Sequence, residues 1–298
     1  MSASRVYFTI DLDPDYLNTV SDRNVLRWEG LKELPRLREE AARRGIRITL
    51  FLRVDRQIAD VYGDAMELVR RHGAMWRAFA DEGHELAWHP HLYRATPDGY
   101  VLETDPEAGA DLLRGTWDAM RQGGFEPVSV RIGEAWQCNA TMHALSALGL
   151  RVDSTAVPGR TRDDAKRRFD WGPTPNRPYH PARHDYRVSG GADALPILEV
   201  PMTTVPIRAP YDTRPVARYL NPTYHAAIWR EAVSSLLAGD PCRDVVLICH
   251  PDELMPRPSN DLHSFGWDDF LRNLDHLHGR LAGTGREPSY RTLAQACT

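Results

Sequence analysis

Lysine is almost absent from the chain: of its 37 basic residues only Lys32 and Lys166 are lysines, and the other 35 are arginines. Acidic residues number 41, so the formal net charge is −4 and there is no basic surplus to hold nucleic acid or an anionic membrane. Cysteine is scarce as well. Cys138, Cys242, Cys249 and Cys297 lie far apart with no C-x-x-C pair, which excludes a disulfide framework and a zinc ribbon. No apolar run approaches the roughly 20 residues that span a bilayer. Met1–Arg5 leads straight into the apolar stretch Val6–Ile10, too short and too early for a signal peptide. The chain therefore reads as cytoplasmic. Its arginine excess reads as a coding bias unless one particular arginine falls in a site.

What is present is ordinary for a globular protein, with 42% hydrophobic and 26% charged residues. A length of 298 residues allows two domains, or one α/β barrel of about 250 residues with excursions. Strand and helix patterns alternate. Strands are predicted at Val6–Ile10, Ile46–Val54, Glu85–His89, Val128–Ile132, Leu150–Asp153, Ile197–Val205 and Val245–Cys249. Helices are predicted at Leu31–Arg44, Asp64–Glu82, Asp105–Gln122, Asn139–Leu148, roughly Val216–Leu237 and roughly Trp267–Leu281. About seven such units imply βαβ connections, a parallel sheet and a barrel in one domain over 1–298. One stretch breaks the rhythm. Ser154 to Pro196 holds five prolines before its last residue, beside Trp171 and Tyr179, and is expected to form a lid.

Three groups of residues point to chemistry. Asp11 and Asp13 follow the first strand two residues apart, so both carboxylates share a face. His89 and His91 repeat that spacing, and two imidazoles with a carboxylate are a common ligand set for catalytic zinc. His84 falls on the other side of the alternation and reads as structural. The apolar run Leu247-Ile248-Cys249 stops at His250, delivering an imidazole to the carboxyl end of a strand, where α/β barrels carry their chemistry. Arg131 and Asp153 end two further strands and reach the same rim.

In this order the segments FTIDLDPD, EGHELAWH, VSVRIG, LRVDSTAVPG, LEVP and LICHP resemble the motifs of the NodB-like polysaccharide deacetylases, over nearly the whole chain. The resemblance implies a distorted (β/α)7 barrel and a metal-dependent N-deacetylase. By it Asp11 is the general base, Asp13 and His89 are metal ligands, Arg131 orients the base, Asp153 tunes the catalytic histidine and His250 is the general acid. Two positions depart from the pattern. The second metal-binding histidine would fall at Tyr93, and strand alternation makes His91 its replacement; a usual proline is Gly133, with Glu134 and Trp136 following it.

The implied reaction is hydrolysis of an N-acyl group, in the first place N-acetyl, from an amino sugar or sugar-containing metabolite, with one divalent ion such as zinc. Trp88, Trp136, Trp171 and Tyr93 are candidates to stack on the substrate, with core packing as the competing reading for each. Arg160, Arg177 and Arg183 of the long loop are candidates to meet an anionic group. Two other readings remain: hydrolysis of a different C–N bond, such as a formamide, ureide or cyclic amide, and a barrel that binds a ligand without turnover.

Overall fold

The computed structural model describes residues 4–15, 26–164, 167–239, 244–285 and 287–297. Its frame is a parallel sheet of short strands: β1 (Ser4–Asp11), β2 (Ile48–Arg53), β3 (Glu85–His89), β4 (Ser129–Val130), β5 (Val152–Asp153), β6 (Leu198–Glu199), β7 (Val245–Cys249) and β8 (Pro288–Tyr290). The spatial order is β6-β5-β4-β3-β2-β1-β7, with β8 pairing the first residues of β1. This is the distorted (β/α)7 arrangement. Strand pairing does not close the ring between β6 and β7; Leu220 bridges to Leu247 there, and Thr203 accepts the Val246 N–H at 2.8 Å.

Burial on both faces explains why β1 reads as a continuous apolar run. Val6, Phe8 and Ile10 point outward into the layer of helices, packing with residues such as Leu37, Trp229 and Phe270. Tyr7 points inward, where it meets Phe51, Ala87, Val152 and Val246. Thr9, Asp11 and Asp13 share the parity of Tyr7. The register aligns Asp11 with Phe51 and Arg53 with His89, so the carboxyl ends of neighbouring strands lie at one level.

Several elements differ from the sequence reading. The helix expected over 64–82 is broken into Glu67–Arg71 and Gly73–Asp81, and a further helix, Arg56–Tyr62, precedes them with Asp55 as its N-cap. Val216–Tyr219, expected as the start of a helix, pairs antiparallel with Thr204–Ile207, and the helix begins only at Ala226. Its β-branched and aromatic residues find a partner strand that periodicity alone does not reveal. Inside the long loop, Thr161–Asp163 and Arg168–Asp170 form a hairpin. Among the described residues no helix is long and apolar enough to cross a membrane.

Candidate active site

The loop leaving β1 and the end of β3 bring Asp13, His89 and His91 together, one ligand atom from each lying within 4.8 Å of the others. His91 Nε2 stands 2.9 Å from Asp13 Oδ1 and 3.3 Å from His89 Nε2; His89 Nε2 is 3.6 Å from Asp13 Oδ2. Ligand atoms at about 2.0–2.1 Å around a tetrahedral ion are about 3.4 Å apart, so the three fit a zinc-sized cation. His89 Nδ1 donates to the Arg131 carbonyl at 2.7 Å, which leaves Nε2 as the free lone pair facing the site. Burial lowers the pKa of His91, and Arg53 pushes the same way against Asp13, which favours the neutral imidazole that a metal needs.

Behind these ligands stands a truss that sequence reasoning missed. Arg53, fully buried at the end of β2, donates to Asp13 Oδ1 at 2.9 Å, Asp55 Oδ2 at 2.6 Å and Gln57 Oε1 at 2.9 Å. Asp55 in turn accepts the His91 N–H at 3.1 Å and caps the next helix through the Ile58 N–H at 3.0 Å. One arginine thus fixes both an acidic ligand and the backbone of a histidine ligand. The signal was an arginine closing an otherwise apolar strand.

Asp11 faces the same space beside the ligand group. Arg131 donates to its Oδ1 at 2.6 Å and to Thr9 Oγ1 at 2.8 Å, to the Ser154 carbonyl at 2.8 Å and to Ser154 Oγ at 3.0 Å. The guanidinium also lies 4.3 Å over the Phe51 ring. With its donors engaged, it holds one carboxylate in one place.

His250 closes the rim, its Nε2 3.8 Å from Asp13 Oδ2. Its partner is Glu253, not Asp153. Glu253 Oε1 is 3.4 Å from His250 Nδ1, and Oε2 accepts the His250 N–H at 2.9 Å and Asn221 Nδ2 at 2.8 Å. Burial opposes charging of the imidazole, but Glu253 outweighs it, with Asp11 and Asp13 adding to the effect, and raises His250 to about 10. The clue lay in His-Pro-Asp-Glu, a carboxylate three residues on that folds back in a short helical turn.

Asp153 misses His250 because of strand alternation. Val152 points into the barrel and Ser154 meets Arg131 there, so Asp153 points outward, as does Glu199 between Leu198 and Val200. Asp153 accepts from Gln137 at 2.8 Å and pairs with Glu199, both fully buried. Burial raises both carboxyls, Asp153 to about 6 and Glu199 further through the charge of Asp153. The pair therefore keeps a proton that the unfolded chain releases above about pH 4. Folded carboxyls with raised pKa stabilise the protein least at high pH, so stability is expected to fall as pH climbs from about 4 through about 6, where Asp153 titrates, by up to about 1.4 kcal/mol per pH unit per retained proton. Glu199→Gln should flatten that slope in thermal melts across the same range; an unchanged slope would refute the shared proton.

The four aromatic candidates do not line the cavity. Trp88 is fully buried and donates to the Val54 carbonyl at 2.8 Å; Trp136 packs in the same cluster, against Gly109. Trp171, also buried, donates to the Ala135 carbonyl at 2.8 Å. Tyr93 stands behind His91, ring centroids 5.1 Å apart, and donates to Glu134 at 2.8 Å. These rings are core and support, and the cavity of about 100 Å³ is walled instead by Ile132, Val157, Phe169, Met202, Tyr219 and Ile248. Arg160 and Arg167 line it, whereas Arg177 and Arg183 are exposed elsewhere.

Gly133 connects the two departures from the family pattern. A Cβ there would lie 2.1 Å from Cδ2 and Nε2 of His91, so the His91 ring fills the room that any side chain at 133 would need. The next two residues, Glu134 and Ala135, carry φ of 58° and 53°, left-handed values unusual outside glycine. Tyr93 and Arg167 hold the Glu134 carboxylate and Trp171 holds the Ala135 carbonyl, which over-determines the turn.

No family model matches the chain, and no curated protein does. Solved structures do. One is a Mycobacterium smegmatis protein provisionally described as a polysaccharide deacetylase, with TM-score 0.56 and 16% identity over 99% of this chain and 89% of that one. Also similar are the family 4 carbohydrate esterase of Streptomyces lividans, solved with acetate (TM-score 0.40, 12% identity, 97% of this chain and 93% of that one), and a Bacillus anthracis pseudoenzyme of that esterase family (0.43, 9%, 96% and 63%). The chain has the NodB-type fold of the polysaccharide deacetylases.

Proposed function

We propose that the protein is a metal-dependent amidohydrolase that removes an N-acyl group, first of all N-acetyl, from a small amino-sugar metabolite in the cytoplasm. The observation that carries this reading is the convergence of Asp11, His250 and the Asp13–His89–His91 group on one cavity. Asp13, His89 and His91 would hold a divalent ion such as zinc, which when bound polarises an amide carbonyl and makes water more acidic. Asp11, fixed by Arg131, accepts the proton of the water that attacks the carbonyl carbon. His250, held as imidazolium by Glu253, donates from its ring to the leaving amine as the C–N bond breaks. Water is consumed, and a carboxylate and an amine are formed. Ile132, Phe169 and Met202 supply the apolar wall that an acetyl methyl requires.

The test is product analysis. The zinc-loaded protein, given a panel of N-acetylated, N-formylated and ureido sugars and amines, is expected to release acetate. Release should stop on chelation and return with zinc. Formate or ammonia as the sole product would transfer the site to a different C–N bond, and turnover that survives complete chelation would remove the metal from the reaction.

A further inference from the structure

Among the described residues the charges around the cavity are matched with one exception. Asp11 pairs with Arg131, Asp13 with Arg53, and Glu134 with Arg167. Arg160 lines the same cavity, yet among the described residues it has no ion pair and no side-chain hydrogen bond. Its electrostatic neighbours are the phenols of Tyr219 and Tyr224, two more cations, Arg218 and Arg162, and the carboxylate of Asp212. The nearby Asp212 is taken up by Arg218, with contacts of 2.7 and 2.9 Å. Arg162 is itself engaged by Asp164 at 2.8 Å.

A guanidinium facing a partly apolar cavity without an acid paired to it is a cost that the fold tolerates at sites meant for an anion. Burial lowers the pKa of Arg160, the direction expected of a cation lacking a counter-charge. Tyr219 lines the same cavity and feels the charges of both Arg160 and Arg167, and its hydroxyl has no hydrogen bond among the described residues. Arg160 precedes Thr161–Asp163 and Arg167 precedes Arg168–Asp170, the two strands of the hairpin, and both arginines line the cavity.

We propose that Arg160, Tyr219 and Arg167 form an oxyanion subsite, so that the substrate carries a carboxylate or phosphate close to its N-acyl group. The choice of an N-acyl compound rests on the amidohydrolase reading above; the anion subsite does not. Arg160 supplies a free fork for two oxygens, and Tyr219 adds a hydroxyl donor. Arg167 contributes field while it remains bound to Glu134. A neutral N-acetylated sugar would leave the Arg160 charge uncompensated.

The experiment is calorimetric titration of inorganic phosphate into the zinc-loaded full chain at low salt, comparing wild type, Arg160→Gln and Arg160→Lys. Wild type should bind one phosphate; Arg160→Gln should weaken it tenfold or more, and Arg160→Lys by less. Because Arg160 holds no other described side chain, both variants should keep the wild-type melting profile. Equal binding by wild type and Arg160→Gln would place the phosphate on the metal alone and overturn the subsite, as would no binding by wild type. If phosphate binds and depends on Arg160 while no N-acyl compound is hydrolysed, the subsite stands and the amidohydrolase reading fails.

Discussion

Asp11→Asn is expected to reduce kcat/KM by about 10²–10⁴-fold while the protein still takes up one zinc per chain. The two halves of that expectation come from different geometry. Asp11 lies outside the group formed by Asp13, His89 and His91, so loss of its charge leaves the ligands intact. Asparagine keeps an oxygen for Arg131 but cannot accept the proton of an attacking water. The buried arginine then faces a neutral partner, which should lower stability by about 1.5–3 kcal/mol without unfolding the chain, since Thr9 and Ser154 still hold it. His250→Asn should show a similar loss of turnover, because the leaving amine then lacks its proton donor. Metal content by mass spectrometry and steady-state rates on the best substrate check both halves. Loss of zinc in Asp11→Asn would make Asp11 a ligand, and full activity would take it out of the reaction.

Much of this site was legible because alternation along a strand is a simple rule. It places Asp11 with Asp13 and His89 with His91, and the barrel topology lifts His250 and Arg131 to the same rim. Read along the fifth strand, the same rule also turns Asp153 away from the cavity. The expectation that Asp153 serves His250 came from the family pattern, not from parity, and here the acid comes from Glu253. Local sequence held that information in a short turn, where a carboxylate three residues after histidine can reach back.

Other parts were less legible for physical reasons. Arg53 resembles any polar strand end until Asp13, remote in sequence, is brought beside it and Asp55, two residues on, turns back to it. The tryptophans illustrate a second limit. A large ring near a site motif is as useful to the core as to a ligand, and only packing decides; Trp88, Trp136 and Trp171 all found buried carbonyls or apolar neighbours. The long segment at 154–196 was recognisable as irregular from its prolines, but not as the source of a hairpin carrying Arg160 and Arg167 at the cavity wall. Hairpin pairing there depends on a contact across the strands that periodicity cannot signal in three residues.

The replacement of a side chain by Gly133 and the use of His91 are one arrangement, and that can be measured. Gly133→Ala is expected to weaken zinc binding by more than about 100-fold and to lower stability by about 1–3 kcal/mol. Gly133 does not sit at positive φ, so alanine meets no backbone penalty and the whole cost is the collision of its methyl with the His91 ring at 2.1 Å. The ring cannot yield easily. Tyr93 lies on one side of it, and its own backbone N–H is fixed by Asp55. It follows that the collision should vanish when the ring is removed. In a His91→Ala background, which has already lost the ligand, Gly133→Ala should cost almost no stability, so that a double-mutant cycle yields a coupling energy of about 1–3 kcal/mol. The cycle needs only chemical denaturation of four proteins and zinc titration of two. Additive stabilities, or undiminished zinc affinity in Gly133→Ala, would mean that His91 turns away from the metal group, leaving Asp13 and His89 short of their third partner.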